Sequence, residues 1–371
     1  MVAGDVLPGA VRHPDAAAAG AVRQASGAVT GASAQPQPAD RAESAPGDAA
    51  RGRTHRGIVL VALVVALALF PLLQIATGRF NYWLHMMLYA FMYVAMASSW
   101  NIIGGYAGYI SLGHSAFYGI GGYATGALMT FCGISPFVSA PLAGLLCFAL
   151  GLPVGLITLR TRGPAFIIST IALLMLARLA LDNTESLGGA DGMSLPLPDL
   201  PVQTLKLPFY YGMLAVAVAA VLASYRIRHA KLGLGLRAIA EDEVKAEAAG
   251  IPTRLYKIIA FALSALFIGI AGGLWGYYLT YLKPTVFFQI LTSAQIVLMA
   301  ILGGRGTVAG PVLGAILLVA ADELVVAKLG STELNITAKG VLMLVVLVMF
   351  PEGIVGTLRA RGRLPRILDW G

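Results

Sequence analysis

Lys257-Ile-Ile-Ala-Phe-Ala-Leu-Ser-Ala-Leu-Phe-Ile-Gly-Ile-Ala-Gly-Gly-Leu-Trp-Gly-Tyr-Tyr-Leu-Thr-Tyr-Leu282 carries no charged side chain after its first residue. A helix needs about 20 consecutive apolar residues to cross the hydrocarbon core of a bilayer, and this run is long enough. Working outward, comparable runs recur at 57–76, 82–103, 108–131, 136–159, 164–181 and 208–226 on one side. On the other side they recur at 288–303, 311–329 and 336–356. The pattern predicts an all-α polytopic membrane protein with about ten transmembrane helices. The runs at 108–131 and 288–303 adjoin glycine-rich stretches and are expected to be broken or re-entrant. Irregular backbone at membrane depth persists only where protein or a water-filled cavity surrounds it, so both places are candidates for a transport path.

Composition agrees. Of 371 residues, 58% are hydrophobic and 12% charged, against about 45–50% and 25% in soluble domains. A core of this size cannot hide that excess, so lipid must solvate much of it. The 44 glycines suit helices packed closely through small side chains. Cys132 and Cys147 lie within or beside apolar stretches and read as small hydrophobes, forming neither a disulfide scaffold nor a metal site.

The net charge of +8 concerns topology, not nucleic acid. With the N-terminus inside, the inner set comprises the tail arginines through Arg56, then Arg160, Arg162, Arg226, Arg228, Lys231, Arg237, Lys245, Arg254, Lys257 and Arg305. Arg359, Arg361, Arg363 and Arg366 complete it, giving 20 of the 26 Lys and Arg residues. Only Arg79, Lys206, Lys283, Lys328 and Lys339 fall outside, with Arg178 in a span near Asp182. This bias obeys the positive-inside rule and puts both termini in the cytoplasm.

Residues 1–54 are rich in Ala, Gly, Pro, Ser and Gln, lack the apolar core of a signal peptide, and read as a disordered cytoplasmic tail. The remainder divides into a transmembrane domain at 55–358 and a basic cytoplasmic C-terminus at 359–371. The longest outside segment, 182–207, is acidic and proline-rich and is expected to cap the path.

The cytoplasmic loop 227–256 is the most informative for function. From Gly233 to Pro252 it begins with flexible glycines, continues as a strong helix former, and stops at Gly250, a suitable C′ residue. A helix of about four turns is expected, with Leu236, Ile239, Val244 and Ala248 as a partial apolar stripe among Glu241, Asp242, Glu243, Lys245 and Glu247. Such a helix between two spans suits docking into a groove on a cytoplasmic ATPase.

Glu247-Ala248-Ala249-Gly250 resembles the Glu-Ala-Ala-x-x-x-Gly coupling loop of ABC import permeases, with the glycine here directly after Ala249. Asn101-Ile-Ile-Gly-Gly-Tyr-Ala-Gly-Tyr-Ile-Ser-Leu-Gly-His-Ser-Ala-Phe-Tyr-Gly-Ile-Gly-Gly-Tyr123 resembles the signature stretch of the LivM/LivH permeases of branched-chain amino-acid importers. Arg160-Thr-Arg-Gly-Pro-Ala-Phe166, with Ala165 where that family commonly has Tyr, and Leu302-Gly-Gly-Arg-Gly-Thr-Val-Ala-Gly-Pro-Val-Leu-Gly-Ala315 resemble two further junctions. The resemblance covers about 57–357 and favours the LivM type. It implies an inverted-repeat permease fold in the bacterial cytoplasmic membrane, moving branched-chain amino acids by alternating access. It further implies a second, LivH-like permease subunit, two cytoplasmic ATPase subunits holding ATP and Mg, and a periplasmic solute-binding protein.

The resemblance assigns ATPase coupling to Arg237, Glu241, Asp242, Glu243, Glu247, Ala248 and Gly250, and a late glycine-rich turn to Gly303, Gly304 and Gly310. Candidates for the translocation path are Gly104, Gly105, Gly108, Ser111, Gly113, His114 and Phe117, which offer hydroxyl and backbone partners with an aromatic wall. The double glycines at 104–105 and 303–304 fall on one side of the membrane and are not inverted-repeat mates. The chain holds no Gly-x-x-x-x-Gly-Lys-Ser/Thr loop, so no cofactor and no catalysis are expected of it. A urea or short-amide permease of the same family is an alternative. Asp322 and Glu323, deep in a span, would suit a second alternative, an ion-coupled carrier.

Overall fold

The computed structural model describes residues 61–72, 81–196, 204–329 and 353–360, with 337, 340, 341, 344, 345 and 348 between the last two. The expected tail at 1–54, the C-terminal segment from 361 and most of the tenth expected span lie outside the described residues. The helices are α1 (Val61–Leu72), α2 (Asn81–Gly104), α3 (His114–Cys132), α4 (Pro136–Thr158), α5 (Pro164–Asp182), α6 (Lys206–His229) and α7 (Lys231–Glu241). They continue with α8 (Glu243–Ala248), α9 (Thr253–Leu279), α10 (Pro284–Phe287), α11 (Ile290–Gly304), α12 (Ala309–Leu329) and α13 (Gly353–Ala360). Among the described residues, 7 helical segments are long and apolar enough to cross a membrane: α2, α4, α5, α6, α9, α10 with α11, and α12.

The third expected span, 108–131, is instead α3. It begins only at His114, because Gly105–Gly113 forms a non-helical turn in which Gly108 takes φ +77°. Serine, histidine, threonine and glycine dilute its apolar character, yet most of it is buried. The break expected near 288–303 falls at Phe288 and Gln289, between α10 and α11.

Helix α9 is the centre of the bundle, packed on α4, α3 and α2, while α2 also packs on α6 and α11 on α12. Contact with α3 is at backbone distance. A Cβ at Gly121 would lie 2.1 Å from the Gly269 carbonyl oxygen, and one at Gly272 would lie 2.0 Å from that of Tyr118. Small residues permit this approach where no hydrophobic drive separates helix from lipid.

Opposite the α7–α8 end, β1 (Met193–Ser194) pairs antiparallel with β2 (Tyr281–Leu282), Met193 opposite Leu282. This pair ties the 182–196 segment to the end of α9, and Tyr123 donates to the Leu282 carbonyl at 3.0 Å. Arg178 pairs with Asp182 at 3.5 Å, as the sequence spacing suggests.

Candidate functional site

The loop 227–256 contains two helices, not one. Asp242 breaks the expected four-turn helix by adopting an extended conformation, φ −159° and ψ 108°. Its carboxylate accepts hydrogen bonds from the Val244 and Lys245 amides at 3.0 and 3.1 Å, so it is the N-cap of α8. Gly233 and Gly235 are buried inside α7 and are not the flexible hinge expected, since a Cβ at Gly235 would lie 2.4 Å from the Tyr256 ring. Gly250 does close α8 with φ +83°, and the Ile251 amide donates back to the Ala246 carbonyl at 3.0 Å.

The turn at Asp242 sorts the coupling candidates by direction. Arg237, Glu241, Glu247, Ala248 and Gly250 are exposed, together with Val244 and Lys245. Leu236, Ile239 and Ala246 face inward. The expected apolar stripe is therefore divided: Leu236 and Ile239 are buried, whereas Val244 is 65% exposed.

Glu243 points inward, its side chain only 11% exposed. One carboxylate oxygen accepts from Lys257 Nζ; the other accepts from the Tyr109 hydroxyl and lies 3.3 Å from Arg162 Nε. Lys257 also donates to the Tyr109 hydroxyl at 3.0 Å and sits 4.8 Å from that ring's centre. A cleft of about 340 Å³ beside this cluster is lined by Arg160, Arg162, Glu247 and Arg254 as well. Burial alone raises the Glu243 carboxyl, but the Lys257 and Tyr109 hydrogen bonds outweigh it and hold the group below the usual range. A carboxylate depressed in the folded state contributes stability above the unfolded value, about 4.3 for Glu, and loses it as pH falls through the folded value.

The candidate path residues surround the turn from α2 to α3. Gly104 ends α2, Gly105 opens the turn, Gly108 is exposed beside Ala240 of α7, and Gly113 abuts the Thr170 carbonyl of α5. Ser111, His114 and Phe117 are buried. His114 Nδ1 lies 2.8 Å from Ser111 Oγ, and Nε2 lies 2.8 Å from Ser264 Oγ of α9. Ser264 donates its one proton to the Phe261 carbonyl at 2.7 Å. Its oxygen must therefore accept from His114 Nε2–H, which leaves Nδ1 of a neutral ring to accept from Ser111. Phe117 and Phe261 flank the imidazole edge to face.

The late glycine turn meets the early one directly. Asn101 donates from Nδ2 to the Thr307 carbonyl at 2.8 Å and accepts from the Gly306 amide at 3.0 Å. Gly303 packs against the Gly310 backbone, and Gly304 takes φ +128°. Elsewhere, Asp322 is buried in α12, and Glu323 accepts from the Tyr82 hydroxyl at 2.6 Å.

A buried imidazole braced by two serines, two stitched glycine turns and a capped helix pair are the frame in which the relatives can be placed. The sequence model of the permease component of branched-chain amino acid transport systems matches residues 82–350. The chain belongs to this permease family. The high-affinity branched-chain amino acid permease protein LivM of Escherichia coli is 28% identical over 83% of this chain and 76% of its own length. LivM of Salmonella typhimurium is 29% identical over 74% and 70%. LivH of the same organism is 32% identical over a shorter 35% of this chain and 41% of its own. No solved structure matches the chain. This permease is thus a multi-pass α-helical membrane protein and a transport component. Asn101, Arg162, Lys257 and Ser264 were not singled out as site residues from the sequence. Lys257 carried a usable signal, because a cation leading a long apolar run needs a partner.

Proposed function

We propose that this chain is the LivM-like transmembrane permease subunit of an ATP-driven importer that carries branched-chain amino acids to the cytoplasm by alternating access. The observation that carries the reading is the α7–α8 pair, whose outward side presents Glu241, Val244, Lys245, Glu247 and Ala248 on a capped, rigidly seated turn. A partner that docks there moves a body packed on α9. The transport of branched-chain amino acids named for the relatives supports these as the solute, and the LivM and LivH likenesses support a second permease subunit in the pore.

ATP and Mg belong to two cytoplasmic ATPase subunits in this reading, and a periplasmic binding protein delivers solute to the outer face. Both termini lie in the cytoplasm of a bacterial inner membrane. The stretch Gly104–Phe117 supplies part of the path wall. Reconstitution of the full complex in liposomes, with binding protein and labelled leucine, tests the proposal. ATP-dependent leucine accumulation is expected, insensitive to collapse of ion gradients. Uptake that follows an ion gradient without ATP would overturn it, and urea competing out leucine would reassign the solute.

A further inference from the structure

The geometry points to Glu243 as the positioning residue that converts movement of the cytoplasmic α8 helix into movement of the α2–α3 turn. This rests on the reading above that a partner drives α8.

A six-residue helix has too few internal hydrogen bonds to hold itself in place. Its seat is made by the Asp242 cap, buried Ala246 and the inward Glu243 carboxylate. Exposed Lys245 and Glu247 give no such hold, since solvent-exposed ion pairs contribute little. Glu243 is different in kind, for a single carboxylate is engaged by three groups on three separate pieces of chain. Lys257 belongs to the second turn of α9, Arg162 to the turn between α4 and α5, and Tyr109 to the turn between α2 and α3. Charge-assisted hydrogen bonds of this type are the stronger class.

From Tyr109 the connection closes on itself. Two residues on, Ser111 lies against His114 Nδ1, and His114 Nε2 lies against Ser264, about two turns along α9 from Lys257. Trp100 Nε1 donates to the Ser111 carbonyl at 2.9 Å, and the Leu112 amide donates to Thr170 Oγ1 at 3.2 Å. The turn is thus attached to α2 and α5 as well as to α9. Gly108 lies beside Ala240 of α7, so the turn also approaches the cytoplasmic pair there. A displacement of α8 therefore reaches the start of α3 through a ring of polar contacts, with Glu243 as its cytoplasmic member.

The test uses the complete complex with its ATPase and binding-protein partners. Glu243→Gln keeps size, exchanges one accepting oxygen for a donating NH2 group, and removes charge. It is expected to co-purify with the ATPase subunits and hydrolyse ATP as the unaltered complex does, while solute moved per ATP falls roughly tenfold, the scale of one charged hydrogen bond. The outward Glu247→Ala is expected to weaken ATPase binding and leave that ratio unchanged. An unchanged ratio in Glu243→Gln, or one that falls only in step with protein yield, overturns the proposal.

A second readout needs no uptake. Amide exchange across 105–113 is expected to change on ATP binding in the unaltered complex and not in Glu243→Gln. If the unaltered complex shows that change but moves no amino acid, the transport reading fails and the role of Glu243 stands. If it shows no change, the role of Glu243 fails. Should Glu243→Gln not assemble, Tyr109→Phe removes one hydroxyl from the same ring and is held to both criteria.

Discussion

Helices α9 and α5 have similar apolar content, yet the molecule uses them in opposite ways. About 67% of the most apolar window of α9 is buried inside the chain, against 17% for α5. The difference lies in the kind of residue. Helix α9 spaces Gly269, Gly272, Gly273 and Gly276 among bulky side chains, so neighbouring backbones reach it. Helix α5 turns Ile168, Met175, Leu176 and Leu179 outward and inserts little but Phe166, Thr170 and Leu174. In a bilayer, hydropathy identifies a span, and the distribution of small residues decides whether that span is centre or perimeter.

The comparison can be broken most severely at Gly272. Gly272→Leu forces a side chain into the Tyr118 carbonyl, and near-complete loss of monodisperse protein after detergent extraction is expected. Phe261→Ala, at the His114 and Phe117 contact, is expected to cost about 2–3 kcal/mol in steric-trap unfolding. That is below the ~3–5 kcal/mol of soluble cores, because lipid replaces water as the reference for the apolar surface. Ser264→Ala removes the oxygen that accepts from His114 and is expected to cost about 1 kcal/mol in the same assay. Leu176→Ala on the exposed side of α5 is expected to stay within about 0.5 kcal/mol. A large effect at Leu176 would mean that another protein surface, not lipid, covers α5.

The spans were legible because bilayer thickness imposes a length that runs such as 257–282 cannot disguise; the helix there covers Thr253–Leu279. The late start of α3 was less legible, since glycines permit both a continued helix and a turn, and tertiary contact chooses. The division at Asp242 was written in the sequence as an N-cap residue, but the alanines and glutamates around it favour a continuous helix and masked it. Gly250 was readable because a left-handed cap has few chemical solutions. The inward orientation of Glu243 was not, because Tyr109 lies 134 residues away and no local pattern encodes it. His114 was singled out from the sequence, whereas its serine on α9, 150 residues on, was not.

The Asn101 amide has a consequence in time as well as in space. Its partners at Gly306 and Thr307 are separated from it by 205 and 206 residues. At a synthesis rate of about 5–20 residues per second, the end of α2 waits on the order of ten to forty seconds before the chain that completes it has been made. The spans α4, α5, α6 and α9 enter the membrane during that interval with this polar side chain still unpaired to its final partners. The last glycine turn is thus the closing stitch of assembly, and a chain truncated before it leaves the first turn unfinished however well its helices insert.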